Sequence, residues 1–364
     1  MRKGLLAAAT IGVVAVSGIA ACSKSNSGTS SSASSSAKQP YVGVILPDSK
    51  SSVRWETADR PFLEKAFKAA NVKYDIQNAQ GDKNQFQTIA DGMIQEGVNV
   101  LMIVDLDSGS GTAVLKKAKA AGVATIDYDR LTLGGGADYY VSFDNVAVGT
   151  LQGQGLQKCL TDNKAVKPKI AEVNGSPTDN NATLFAKGYN SVLDPLYTAG
   201  TYVKGPNQSV PDWDNAQAGT IFEQMLTSAP DIKGVLVAND GMANSVIAVL
   251  KKNHLQLPVT GQDATVQGLQ HILDGDQCMT VYKAVNKEAS AASELAVALA
   301  KGSNPSTTQT VTDPTANRQV PSVLETPVAI YKDNVKDVVA DGYVTKTDLC
   351  TGAYAAKCTA AGIS

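Results

Sequence analysis

The chain has 364 residues, 43% of them hydrophobic, and 32 basic residues stand against 34 acidic ones for a formal net charge of −2. That length is enough for two domains with cores of their own. The near balance of charge and the lack of any basic block exclude nucleic acid as a partner, because neutralising phosphates needs clustered Lys and Arg.

Residues 1–21 carry the flanks of an export signal: basic Arg2 and Lys3, the apolar run "LLAAATIGVVAV", then small residues up to Cys22. The run is too short to span a bilayer. Small residues immediately before a cysteine resemble a bacterial lipobox. This implies cleavage before Cys22 and a diacylglyceryl thioether on its sulfur, and paired acyl chains anchor firmly where one does not. Residues 22–39 follow as a Ser-rich stretch with nothing to bury, which reads as a flexible tether. The expected location is the outer face of the cytoplasmic membrane, lipid-anchored, most naturally in a Gram-positive cell.

From residue 40 short apolar runs alternate with amphipathic stretches of helical length. "YVGVILP", "VKYDIQ", "VNVLMIVD" and "VATIDYD" read as strands, separated by helices over "TADRPFLEKAFKAA", "DKNQFQTIADGMIQEG" and "GTAVLKKAKAAG". A second series follows. "KIAEVNG", "TYVKG", "KGVLVAND", "LPVTGQD" and "CMTVYK" read as strands, with helices near 180–194, 214–228, 240–253 and 265–274 between them. A helix over 286–301 and a last strand, "LETPVAIY", close the pattern. Near-continuous apolar strands alternating with helices predict α/β lobes with doubly wound parallel sheets. Two similar lobes imply a cleft, and ligands of open parallel sheets bind beyond the carboxyl ends of the strands.

Those strand ends are polar: Asp105 and Asp107, Asp129 and Arg130, Asp179 with Asn180 and Asn181, Asn239 and Asp240, Asp263, and Lys283. Asp and Asn there are natural helix N-caps. Caps do not account for Arg130 and Lys283, nor for Arg54–Trp55 after the first strand. The chain has two tryptophans, and both Trp55 and Trp213 lie in polar, loop-like surroundings. Carboxylates that accept, amides that do both, cations that donate and indoles that cover apolar C–H faces suit a sugar. A nucleotide fits poorly: there is no GxxxxGK[ST] loop, and the "GQG" of Gly153–Gly155 lies inside a helical stretch. No cofactor or metal is called for.

Four cysteines remain beyond Cys22, and they allow three pairings. Cys350 and Cys358 are close enough to close a small terminal loop, which leaves Cys159 with Cys278. His254 and His271 read as ordinary surface or core residues.

Taken together, "SSVRWETADRPF", "ATIDYDRL", "YYVSFDN", "NGSPTDNNA", "VLVANDG", "VTGQDA" and "MTVYK" resemble the D-xylose and multiple-monosaccharide subgroup of type I periplasmic binding proteins, which feed ABC importers. The resemblance covers about residues 40–345. It implies two lobes joined by a three-strand hinge, with an N-lobe of 40–143 plus about 284–310 and a C-lobe of 144–283 plus about 311–364. It also implies that a monomer captures one pyranose, D-xylose being favoured, and passes it to an ABC permease. Arg54, Trp55 and Arg130 would approach the sugar from the N-lobe. Asp179, Asn180, Asn181 and Trp213 would approach from the C-lobe. Asp240 with Asn239, and Asp263, would accept from hydroxyls, and Lys283 at the hinge would donate. The segment "DWDNAQA" has one Trp where the xylose proteins have two, which is nearer to the multi-sugar relatives. The tail "CTGAYAAKC" is outside the family pattern and reads as a clasp.

A glycosidase, a transcription regulator and a sensor without transport are the rival readings. Acids beside Arg and Lys should stay ionised, which suits binding rather than proton donation. A regulator would need a helix-turn-helix where this chain has an export signal.

Overall fold

A computed structural model describes residues 39–363. The expected lipidation of Cys22, the signal and nearly all of the tether lie outside the described residues. Among the described residues no helix is long and apolar enough to cross a membrane.

In the first lobe the chain runs β1 (Tyr41–Leu46), α1 (Arg60–Ala69), β2 (Lys73–Asn78), α2 (Lys83–Glu96), β3 (Val100–Ile103), α3 (Ser108–Ala120), β4 (Ala124–Tyr128) and β5 (Tyr139–Phe143). A π-helical turn, Trp55–Asp59, precedes α1. β1 is buried at every position, as a strand covered on both faces must be. Alternate residues point to opposite faces of a strand. Accordingly Val42, Val44 and Leu46 pack with Leu63, Phe67 and Ala292, while Ile45 packs with Phe86, Met93 and Leu115.

The second lobe comprises α4 (Asn145–Asp162), β6 (Lys169–Asn174), α5 (Asn180–Thr198), β7 (Val203–Ser209), α6 (Asn215–Ser228), β8 (Ile232–Val237), α7 (Asp240–Lys252), α8 (Val266–Asp274) and β9 (Thr280–Tyr282). Its parallel sheet has the order β7-β6-β8. The "LPVTGQD" stretch, expected as a strand, makes only two isolated bridges, Val235 to Val259 and Gln262 to Val281. Those bridges link β8 to β9.

The chain then returns to the first lobe with α9 (Val285–Ala300), β10 (Gln309–Asp313) and β11 (Arg318–Glu325), and ends in the second with β12 (Val328–Ile330), α10 (Val335–Ala340), α11 (Lys346–Leu349) and α12 (Tyr354–Ala360). The first sheet has the order β10-β11-β5-β4-β3-β1-β2, parallel except for β10. This moves a boundary. The chain was expected to leave the N-lobe near residue 310, yet β11 pairs with β5 through Glu325, so the last crossing falls between Glu325 and Val328. "LETPVAIY" is therefore two strands, one in each lobe. Crossings follow β5, β9 and β11, and two of them touch where the Asp144 N–H donates to Glu325 O at 3.0 Å.

Several helices start as the sequence dictates. The carboxylates of Asp82, Asp107, Asp144, Asp179 and Asp214 and the amide oxygen of Asn239 accept from first-turn N–H groups. Cys159 bonds Cys278, tying α4 to the approach of β9, and Cys350 bonds Cys358. The second bond clips a tail whose Val335, Val338, Leu349 and Cys358 pack on Leu269, Ile272 and Leu273 of α8.

Candidate functional site

The carboxyl ends of the strands converge between the lobes. The first lobe brings Ser51, Ser52, Arg54 and Trp55 from the loop after β1, and Asp129 and Arg130 from the end of β4. The second brings Asp179, Asn181 and Phe185 after β6, Trp213 after β7, Asn239 after β8, Gln262 and Asp263 after the bridged stretch, and Lys283 after β9. Together they line a partly open cavity with about 30 Å³ of room as the lobes stand, enough for roughly two waters at the ~10–15 Å³ each needs. The lobes meet around it. A second pocket of about 260 Å³ shares Arg130, Asp179 and Trp213 with it, so these three side chains wall both chambers.

Of the residues named from the sequence, Arg54, Trp55, Arg130, Asp179, Asn181, Trp213, Asn239, Asp263 and Lys283 line the cavity, and Asn180 and Asp240 do not. Asn180 is half-buried as the first residue of α5. Asp240 is fully buried but turned into its own lobe, where it accepts from Gln277 Nε2, Thr280 Oγ1 and the Thr265 N–H, each at 2.8 Å. Sequence reasoning passed over Ser51, Ser52, Phe185 and Gln262 as lining residues, and it noted Asp129 only as one polar strand end among several.

Asp129 is the hub. Its backbone is left-handed (φ 62°), a strained setting for a residue other than glycine. Its carboxylate accepts from Arg54 Nη1 and Lys283 Nζ, both at 2.9 Å, and from Asn181 Nδ2 at 3.1 Å. Burial works against that charge, but Lys283 and Arg54 outweigh it and hold the carboxyl well below its ordinary range. Arg54 also grips Asp59 through Nε and Nη2 at 2.9 and 2.7 Å and Glu288 through Nη2 at 2.7 Å. Much of its donor set is therefore spent inside the protein. Burial opposes its charge too, and Asp59, Asp129 and Glu288 more than restore it.

The other acids differ from expectation. Burial pushes Asp179 up, and Arg130 at 3.0 Å only partly offsets this. Burial likewise raises Asp263 against the pull of Lys283 and Arg54. Glu288 stands well above its usual range because burial exceeds the pull of Arg54. The cations hold down Asp129; at Asp179 and Asp263 desolvation wins.

The indoles frame the cavity. Trp55 lies under the guanidinium groups of Arg54 and Arg130, 4.5 and 5.6 Å from its ring centroid. Trp213 donates from Nε1 to Asp179 Oδ2 at 3.1 Å and meets Phe185 edge-on at 6.4 Å. It lies flat on Gly175, where a Cβ would come within 2.1 Å of the ring. The glycine of "NGSPTDNN" thus makes room for the indole. Asp179 has two tasks, capping α5 through the Asn181 N–H at 2.8 Å and anchoring Arg130 and Trp213. Gln262 Oε1 is buried at the cavity with no protein partner.

Among the described residues His271, Asp274 and Asp276 have metal-like spacing. Lys357 and Lys251 already pair with the two carboxylates, which makes the group a surface ion cluster.

Comparisons with known proteins identify the family. The family model described as a periplasmic binding protein domain matches residues 42–304. The D-xylose-binding periplasmic protein of Escherichia coli (strain K12) is 33% identical, over 86% of this chain and 93% of its own length. The multiple sugar-binding periplasmic receptor ChvE of Rhizobium radiobacter is 34% identical, over 84% and 91%. A solute-binding protein of an ABC transporter from Clostridium phytofermentans, solved with bound β-D-glucose, superposes with a TM-score of 0.77 at 30% identity, over 85% of this chain and 99% of its own. Family and relatives are substrate-binding proteins rather than enzymes.

Proposed function

Because this chain belongs to the periplasmic binding protein domain family, we propose that it captures a monosaccharide between its lobes outside the cytoplasm and delivers it to an ABC importer. D-xylose is the favoured ligand. The observation that carries the reading is the lining of the cavity: from each lobe a buried indole, a carboxylate and a cation, with Ser, Asn and Gln between them. Asp129, Asp179 and Asp263 accept from hydroxyls, Lys283, Arg130 and Asn181 donate, and Trp55 and Trp213 cover C–H faces. Hydrogen bonds to charged groups contribute roughly 1.5–3 kcal/mol each, so a few of them offset ordering costs to give about −8 kcal/mol, micromolar binding.

The proposed mechanism is lobe closure. Neither lobe alone presents all the partners, so a sugar touching both has its highest affinity for the closed form and shifts the equilibrium there. The closed monomer, held at the membrane by lipid on Cys22, then docks on the permease. No step in this chain breaks a covalent bond.

A multi-sugar ligand set is the second reading. It is favoured by the single Trp213 in the "DWDNAQA" loop and by comparable identity to the xylose and multi-sugar relatives. Calorimetric titration with D-xylose, D-glucose, D-galactose, L-arabinose and D-ribose separates the two. Micromolar binding of xylose alone supports the narrow reading and comparable binding of hexoses supports the broad one. Binding of none overturns the sugar assignment.

A further inference from the structure

We propose that Asn215, outside the sugar cavity, is a positioning residue that latches the lobes together and scales the affinity for every ligand by the same factor. The proposal rests on the sugar-binding reading above.

The N-lobe loop before Arg54 is folded around one carboxylate. Asp48 accepts from the N–H groups of Lys50 and Ser51 at 2.7 and 2.6 Å and from Ser51 Oγ at 2.8 Å. With those donors turned onto Asp48, the carbonyls of Lys50 and Ser51 are left for other partners, and two amides of the C-lobe take them. Asn215 Nδ2, from the first residue of α6, donates to Lys50 O at 2.8 Å. Asn239 Nδ2 donates to Ser51 O at 3.2 Å while its oxygen caps α7. Beside them Ser52 Oγ donates to Asp263 at 2.9 Å. Three consecutive residues of one lobe are thus gripped by the other.

Asn239, Ser52 and Asp263 line the cavity, and Asn215 does not. The Asn215 amide is instead seated against the start of α7, where a Cβ on Gly241 would come within 2.7 Å of both its Nδ2 and its Oδ1. Glycine at 241 is what lets the amide lie there. Since the contact is to a main-chain carbonyl, it survives any side chain at position 50. It joins residues of opposite lobes and so exists only when they are together. A contact of that kind changes the closed fraction, and apparent affinity scales with that fraction whatever the ligand. One ordinary hydrogen bond corresponds to about a two- to tenfold change.

The test uses the full chain with Asn215→Ala and Asn215→Asp, titrated with D-xylose, D-glucose and D-galactose, together with small-angle scattering without sugar. The expected result is that each bound sugar weakens by a common factor of about two- to tenfold, with ratios between sugars unchanged and the sugar-free radius of gyration increased. Melting temperatures near wild type exclude misfolding, and Asn215→Asp keeps the shape while removing the donor. Unchanged affinity, unequal weakening among the sugars or unchanged scattering overturns the latch. If wild type binds none of the five sugars named above, the sugar reading fails, and the scattering comparison alone decides the latch.

Discussion

Asp129→Asn and Glu288→Gln each replace an acid that bonds Arg54, and the first should cost far more stability than the second. Asp129 accepts two charge-assisted hydrogen bonds, from Arg54 and Lys283, and its carboxyl is held below the ordinary range. Neutralising it weakens both bonds and leaves a buried ammonium facing an amide. At roughly 1.5–3 kcal/mol per bond, and with about 3–5 kcal/mol typical for breaking a buried pair from one side, the variant should lose about 3–5 kcal/mol. Glu288 accepts only from Arg54, its Oε1 has no partner, and burial already pushes its carboxyl well above the usual range. Glutamine keeps an acceptor for Arg54 and, like the protonated carboxyl that burial favours, carries no charge, so Glu288→Gln should lie within about 1 kcal/mol of wild type or be more stable. Urea unfolding at pH 7 reads both. Equal destabilisation by the two, or a loss below about 1 kcal/mol for Asp129→Asn, would refute the account of which acid the cations hold. The pH dependences differ in sign as well. The Asp129 contribution is present above the unfolded carboxyl value and is lost as pH falls below it. For Glu288, stability is greatest below the unfolded value and declines as pH rises through the raised one.

Gly175→Ala places a methyl where Trp213 lies; overpacking should cost about 1–3 kcal/mol and shift the tryptophan emission, and an unchanged spectrum would count against the packing. Asp240 is pushed to about 7 by burial, against the hydrogen bond from Gln277. Wild type should therefore lose stability as pH rises from about 4 to 8, and Asp240→Asn should flatten that slope without changing sugar affinity, as unfolding and calorimetry across pH would show. Replacing both Cys350 and Cys358 by Ser frees a loop whose ends are 8 residues apart; on loop entropy it should cost about 2–3 kcal/mol and lower the melting temperature while sugar binding persists.

Local order was legible because its causes are local. The period of the apolar residues placed most strands and helices, and Asp and Asn before the helical stretches are the caps found in the fold. The rule that ligands gather beyond strand ends places Arg130, Asp179, Asp263 and Lys283 together, with Arg54 in the loop after the first strand. Beyond that point neighbours in sequence diverge. Successive residues at the start of a helix point about 100° apart, so Asn181 faces Asp129 while Asn180 looks elsewhere, and Asn239 faces the cavity while Asp240 turns to Gln277 and Thr280. Nothing in "TDNN" or "ANDG" says which of the pair does so; the packing of α5 and α7 decides it. The place of β10 and β11 on the first sheet rests on pairing with β5, far away in the chain. Ser51, Ser52 and Gln262 carry no signal of their own, since such residues fill ordinary loops, and they become cavity walls only because the lobes meet there. The charge states of Asp179, Asp263 and Glu288 follow the same logic. A sequence names the cations nearby, but desolvation depends on how completely the surrounding chain shuts out water, and that is a property of the closed tertiary structure.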